Sequence, residues 1–287
     1  MINHITSEFP KCFSFMKHLH IKILKYIRKN AAKKTTKIHR KISNNNLYHV
    51  RISDGCMGNC AYCGIRKAVG PQKSIPINEI ITKFKLELNK GNKDILLVAE
   101  DAGSYGLDMG SSLPELLEEI TKIPGDYSIT ITSISPTYIA KYVDQLEKIF
   151  KTKKIVNINI PVQSGSKRIL GLMNKDPDIE KIEKAILKIK KSFQKLELEA
   201  QLMVGFPTET EEDFESTLHL IKKLNFDMIY ILKFPNASGT DAYSLKPKIK
   251  NKEINLRINH AKIFLEELGY SMVFKKRHMF IFKKDQM

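Results

Sequence analysis

From residue 48 to residue 234 the chain repeats one pattern: a short, β-branched apolar run, a loop, then a longer stretch whose apolar residues recur at helical spacing. Six runs read as strands, at 48–53, 94–99, 127–133, 155–162, 196–204 and 227–234. Five helices fall between them, at 77–89, 113–122, 137–150, 179–193 and 211–224. Strand then helix, five times over, predicts an α/β fold with a parallel sheet, because a parallel neighbour is reached only through a right-handed crossover. Two architectures obey that rule, an open doubly wound sheet and a curved barrel, and the periodicity suits both. Pro114 and Pro136 mark helix starts, and Glu209, Glu211, Glu212 and Asp213 put acids in a first turn, where the helix dipole favours them. Beyond this repeat, 253–268 reads as a helix ended by Gly269, followed by a strand pair at 270–275 and 279–283. The expected organisation is a basic extension at 1–47, a core at 48–245, and a C-terminal helix with a short strand pair at 246–287.

A chain of 287 residues, 42% of them hydrophobic, can bury a substantial core without staples. No apolar stretch approaches the roughly 18 to 20 residues of a membrane span, and no secretory segment opens the sequence, so the expected compartment is the cytoplasm. The net charge is +17 and unevenly placed. Residues 1–50 carry eleven Lys and Arg, from Lys11 to Lys41, against one acid, Glu8, a local net charge of +10. Such an arm suits contact with nucleic-acid phosphates or an acidic membrane surface, though a lysine-rich composition also produces solvated faces of this kind. No aromatic interleaving accompanies the charge.

In either α/β architecture, functional groups gather at the C-terminal ends of the strands. That rule selects 54–73, 100–110, 133–135, 163–166, 205–209 and 235–242. The first window holds three of the four cysteines within eight positions, Asp54-Gly-Cys56-Met-Gly-Asn-Cys60-Ala-Tyr-Cys63-Gly64. This Cys-x3-Cys-x2-Cys spacing is too bunched for a disulfide framework and points to metal. Three thiolates on one glycine-bearing loop can ligate three irons of a [4Fe-4S] cubane and leave the fourth open to chemistry. Structural zinc is the competing reading. It needs a fourth ligand, and the nearest candidates, His49 and Cys12, are poorly placed.

The spacing, with Tyr62 just before the third cysteine, resembles the motif of the radical S-adenosylmethionine (SAM) superfamily. Further segments resemble the radical SAM domain of the methylthiotransferases that act on tRNA or a ribosomal protein: Ala99-Glu-Asp-Ala-Gly-Ser-Tyr-Gly106, Ile160-Pro-Val-Gln-Ser-Gly-Ser166 with Ile169, Leu170 and Met173, and Val204-Gly-Phe-Pro-Thr-Glu-Thr-Glu-Glu-Asp-Phe214. The resemblance covers about 48–245. It implies a partial (β/α)6 barrel, a [4Fe-4S] cluster held by Cys56, Cys60 and Cys63, and SAM chelated to the open iron and cleaved by one electron from reduced flavodoxin or ferredoxin. It also implies that Tyr62 lies near the adenine of SAM, that Asp101 meets its amino group, that Gln163 and Ser164 meet its ribose and methionine portions, and that the Gly205-Phe206-Pro207 turn offers backbone to the adenine.

Departures from that family shift the expected reaction. Its members carry three further cysteines before the motif, where this sequence has Cys12 alone, and a C-terminal RNA-binding barrel for which about fifty residues leave no room. Arginines that they place after the cysteine loop and in the sixth-strand loop are replaced by Val69, Ile75 and the stretch Asn236-Ala-Ser-Gly-Thr240. The expectation is therefore a radical SAM enzyme with intact SAM machinery, acting on its substrate by radical chemistry or transfer of a SAM-derived group. Methylthiolation with sulfur from a partner is the first alternative, and a zinc-stabilised nucleic-acid-binding protein the second. Tyr105, Tyr230 and Lys233 sit where a substrate could be met and equally suit packing.

Overall fold

A computed structural model describes residues 47–285, so the basic arm and Cys12 lie outside the described residues. The chain runs β1 (Tyr48–Arg51), β2 (Ser53–Asp54), α1 (Ile65–Val69), β3 (Lys73–Ser74), α2 (Ile77–Asn89), β4 (Asp94–Val98), α3 (Leu113–Lys122), β5 (Ser128–Ile131), α4 (Pro136–Lys141), α5 (Val143–Phe150) and β6 (Ile155–Gln163). It continues through α6 (Lys167–Leu172), α7 (Ile179–Ser192), β7 (Glu197–Val204), α8 (Glu211–Leu224), β8 (Met228–Lys233), α9 (Asn251–Glu267), β9 (Tyr270–Lys276) and β10 (Met279–Lys284). Helix starts follow local chemistry. Ser112 caps α3, Asp178 caps α7, and Thr210 with Asp213 closes a capping box at α8.

Strand order separates the two architectures that the sequence left open. The sheet runs β1-β4-β5-β6-β7-β8, parallel throughout, with β10 and β9 added antiparallel beyond β8. A doubly wound sheet reverses its order at a switch point; this one never does. Sequential order with crossovers of one hand places every helix on the same side. Accordingly α2 packs on α3, α3 on α5, α5 on α7, α7 on α8 and α8 on α9, a continuous outer layer. The result is an α/β fold wound in one direction, as in a partial (β/α)6 barrel.

The two faces of the sheet differ in chemistry. Toward the helices, β6, β7 and β8 present Ile158, Ile160, Leu198, Ala200, Leu202, Ile229 and Ile231, all buried in the main core. The alternate positions carry Asn157, Asn159, Glu199 and Gln201. These bond one another: Asn157 and Asn159 donate to the two oxygens of Glu199 at 2.8 and 3.1 Å, and Gln201 donates to Asn159 at 2.6 Å. A buried carboxylate supplied with two amide donors is an affordable interior group.

Two elements depart from the sequence reading. The first strand splits: β1 pairs with β4, whereas β2 turns away to pair antiparallel with β3, so that the chain leaves the sheet before the cysteines. The helix expected at 137–150 is two helices that meet at Tyr142, whose backbone leaves the helical region (φ −108°, ψ 14°) while its ring stacks on Tyr138. The C-terminal helix and strand pair form as read, the pair joining the main sheet through β8 while α9 packs against α8 and β7.

Candidate functional site

The cysteine loop spans the mouth of the barrel. Gly55 starts it at φ +72°, and a Cβ there would lie 2.1 Å from the Pro71 carbonyl oxygen, so only glycine lets the two ends of the loop close. The returning end is tied down by Gln72, whose amide donates to the Ser104 carbonyl at 2.7 Å, and by Ser74, which donates to Asp108 at 2.6 Å. Between these ends few bonds act. Ala61 N–H donates to the Met173 carbonyl at 3.0 Å, Asn174 to the Asn59 carbonyl at 3.2 Å, and the exposed Arg66 to the Met57 carbonyl at 3.2 Å.

No disulfide joins Cys56, Cys60 and Cys63, which are all half-buried. The sulfurs of Cys56 and Cys60 flank Gly58, whose N–H donates to Cys56 Sγ at 3.2 Å. Burial pushes the Cys56 thiol up to about 11, against the Gly58 N–H, so a metal held there would have to displace a proton.

Behind the loop Ala61 packs with Ile169, Met173, Met203, Phe206, Phe234 and Ala242, with Tyr62 at the edge of this cluster. Burial first, then the neighbouring Cys60 and Cys63 thiols, push the Tyr62 phenol well above its ordinary value. Phe206 is fully buried edge-on to Phe234, so what it offers a ligand is backbone.

A cleft of ≈ 170 Å³ opens beside the loop, lined by Gly58, Cys60, Asp101, Tyr138, Ser164 and Lys175, among others. Asp101 Oδ1 accepts the N–H groups of Gly103 and Ser135, both at 3.0 Å, and so fixes two loops as well as facing the cleft. Burial raises its carboxyl, opposed by the Ser135 N–H and by the charge of Lys175. Ser164 is wholly buried, 3.2 Å from Thr217 Oγ1, and accepts the Ser166 N–H. Gln163 closes β6 at φ +66°, a left-handed conformation unusual for a side-chain-bearing residue; its Oε1 is buried and has no hydrogen-bond partner. Its neighbours Val162 and Ser164 line the cleft, whereas Gln163 itself does not. Asp101 and Lys175 thus give the cleft one charge of each sign, which suits a zwitterionic ligand.

Lys175 escaped the sequence reading. It lies two residues beyond the recognised Met173, outside the strand-end windows, and only the turn after α6 brings it to the cleft. Conversely, Tyr105 and Lys233 serve packing: the Tyr105 hydroxyl donates to the Ile75 carbonyl at 2.7 Å, and Lys233 reaches Asn255 on the helix side. Tyr230 is buried on the polar face, where burial and then Glu199 push its phenol well above its ordinary value.

Comparison with known proteins agrees with this geometry. Residues 50–221 match the family model of the radical SAM superfamily. The chain is 35% identical over 211 residues to the threonylcarbamoyladenosine tRNA methylthiotransferase MtaB of Thermotoga maritima, covering 71% of this chain and 48% of that one. It is 36% identical over 204 residues to the ribosomal protein uS12 methylthiotransferase RimO of Thermosipho africanus, covering 70% and 47%. The chain thus spans about half the length of the curated relatives it matches. Among solved structures, the coproporphyrinogen III oxidase of Escherichia coli shares the fold with a TM-score of 0.61 at 18% identity, over 83% of this chain and 55% of that one. Among the described residues no helix is long and apolar enough to cross a membrane. With the cysteine triad, the polar cleft, the strand order and the sequence match all in one place, the chain belongs to the radical SAM superfamily.

Proposed function

We propose that this chain holds one [4Fe-4S] cluster on Cys56, Cys60 and Cys63, binds SAM in the adjoining cleft, cleaves it reductively and modifies a substrate by radical chemistry or transfer of a SAM-derived group. Enzymes of the superfamily bind this cluster and SAM and require a reductant. When bound, the cluster would supply the electron that breaks the sulfonium bond, while the protein would position the reactants and keep water out. The observation that carries the reading is the cysteine loop, with the Cys56 and Cys60 sulfurs beside Gly58 and Cys60 lining a cleft that holds Asp101.

In that cleft Asp101 takes the SAM ammonium and Lys175 its carboxylate. Gln163, with its unmet Oε1, accepts from a ribose hydroxyl, and the Ser164 loop borders the methionine portion. Tyr62 and the Gly205–Phe206 backbone border the adenine. Reduced flavodoxin or ferredoxin supplies the electron, and a thiolate-held cluster suits a reducing compartment such as the cytoplasm. The basic arm at 1–47 gives a nucleic-acid substrate a surface to approach.

Anaerobic reconstitution should give a brown protein with about four irons per chain, and reductant plus SAM should yield 5'-deoxyadenosine and methionine. A colourless protein with one zinc per chain would overturn the reading. The identity to tRNA and ribosomal-protein methylthiotransferases favours methylthiolation as a second reading. Mass analysis of RNA and ribosomal peptide incubated with the reduced enzyme tests it: a methylthio adduct supports it, and 5'-deoxyadenosine without an adduct opposes it.

A further inference from the structure

The turn Gly205-Phe206-Pro207 is held from a distance. Helix α9 lies wholly outside the 50–221 stretch that matches the family model, yet it grips this turn at two points. Gly205 sits at φ +84° with Ile254 of α9 so close that a Cβ would fall 2.5 Å from its side chain. One turn along, Arg257 is only 4% exposed. Its Nη1 donates to Glu209 Oε2 at 2.8 Å and to the Glu209 carbonyl at 3.2 Å, its Nε to Glu211 at 3.2 Å, and its Nη2 to Glu253 at 2.6 Å. All three guanidinium nitrogens are therefore engaged. Glu209 Oε2 in turn accepts the Gly205 N–H at 2.8 Å. One carboxylate oxygen thus joins a buried cation on α9 to the first amide of the turn.

We propose that Arg257, acting through Glu209, is a positioning residue for SAM: it holds the Gly205–Phe206 backbone in the conformation that borders the adenosyl end of the cofactor. This rests on the reading of that turn as part of the SAM site. Glu253, Glu211 and Glu209 surround a single guanidinium, and only Glu209 is itself buried, so the guanidinium is what lets this carboxylate stay charged in the interior. Even so, burial pushes the Glu209 carboxyl up to about 7, against the Gly205 N–H and Arg257, with Asp213 adding to the rise. Protonation near neutral pH would weaken both bonds that the oxygen makes.

The test uses cluster-loaded protein and three substitutions: Arg257→Gln, Arg257→Lys and the isosteric Glu209→Gln. SAM binding is measured by calorimetry from pH 5.5 to 8.5, and amide hydrogen exchange is followed at 205 and 206 in the absence of SAM. The proposal expects wild-type affinity to fall as pH drops through about 7, in line with protonation of a raised carboxyl. It expects a shallower profile than wild type for Glu209→Gln, at least tenfold weaker binding with faster exchange for Arg257→Gln, and an intermediate loss for Arg257→Lys, which keeps the charge but not the fork of donors. A Glu209→Gln profile identical to wild type overturns it, and this variant decides the matter if Arg257→Gln does not fold. Unchanged exchange at 205 and 206 in folded Arg257→Gln overturns the link from α9 to the turn. Faster exchange with unchanged SAM affinity overturns it differently, by showing that the turn is not part of the SAM site.

Discussion

The cleft has two walls built on opposite principles. The cysteine loop is anchored at its ends, through Gly55 and Gln72, and between them is held by scattered single bonds, such as those of Ala61 and Arg66. The facing wall presents Ser164, and the segments behind it, 163–168 and 205–213, are locked from several sides at once. Gly165 N–H donates to Thr217 at 2.9 Å, and Ser166 and Arg168 both bond Asp213, which also accepts the Thr210 N–H at 2.9 Å. Arg168 bonds Thr208 as well. One wall is cross-bonded within the protein, and the other is tied at its ends and at single points between them. Preorganisation lowers the cost of binding SAM, whereas a loop with spare freedom can admit a bulky cluster.

The sharpest challenge to this contrast is Asp213→Ala. It removes the acceptor shared by Ser166, Arg168 and Thr210, and should destabilise the fold by about 2–3 kcal/mol in denaturant titrations. A loss below about 0.5 kcal/mol would mean that the wall is not locked as described. The same group predicts acid behaviour. Its hydrogen bonds from Arg168, Ser166 and Thr210 outweigh burial and hold its carboxyl down at about 2. A depressed carboxyl stabilises the fold fully above its unfolded value and loses that contribution as pH falls, here between about 4 and 2. Asp213→Ala should flatten the melting temperature over that window relative to wild type.

Next in size is cluster removal. Chelating the iron should raise exchange at amides 56–69 by about tenfold or more while leaving 163–166 and 205–213 unchanged. Equal loosening of both walls would erase the distinction. The smallest effect is expected from Arg66→Ala, which removes one exposed bond to the loop. It should change stability by less than about 0.5 kcal/mol, and a larger loss would show that the loop is held more tightly than its bonds suggest.

Much of this was legible in the sequence because β/α alternation and Cys-x3-Cys-x2-Cys are local patterns. Six strands and the loops that follow them could be placed from period and punctuation alone. What period could not supply was sheet order, and with it the choice between a doubly wound sheet and a barrel-like winding; that depends on which strands pair. Lys175 and Arg257 were missed for a related reason. Each reaches its partner across the fold, Lys175 toward Asp101 and Arg257 toward Glu209, and neither sits in a strand-end window. Tyr142 broke a helix that the apolar spacing ran straight through, because the spacing carries no record of a backbone bend.

Four strands lie between β1 and β8 in the sheet order, yet the loops that follow these two strands touch over the site. Ala242 N–H donates to the Ala61 carbonyl at 2.7 Å, and Lys67 reaches the Gly239 carbonyl at 2.8 Å. Ala61 stands between Cys60 and Cys63, so the two ends of the parallel sheet are stapled to one another beside the thiols with no strand pairing between them.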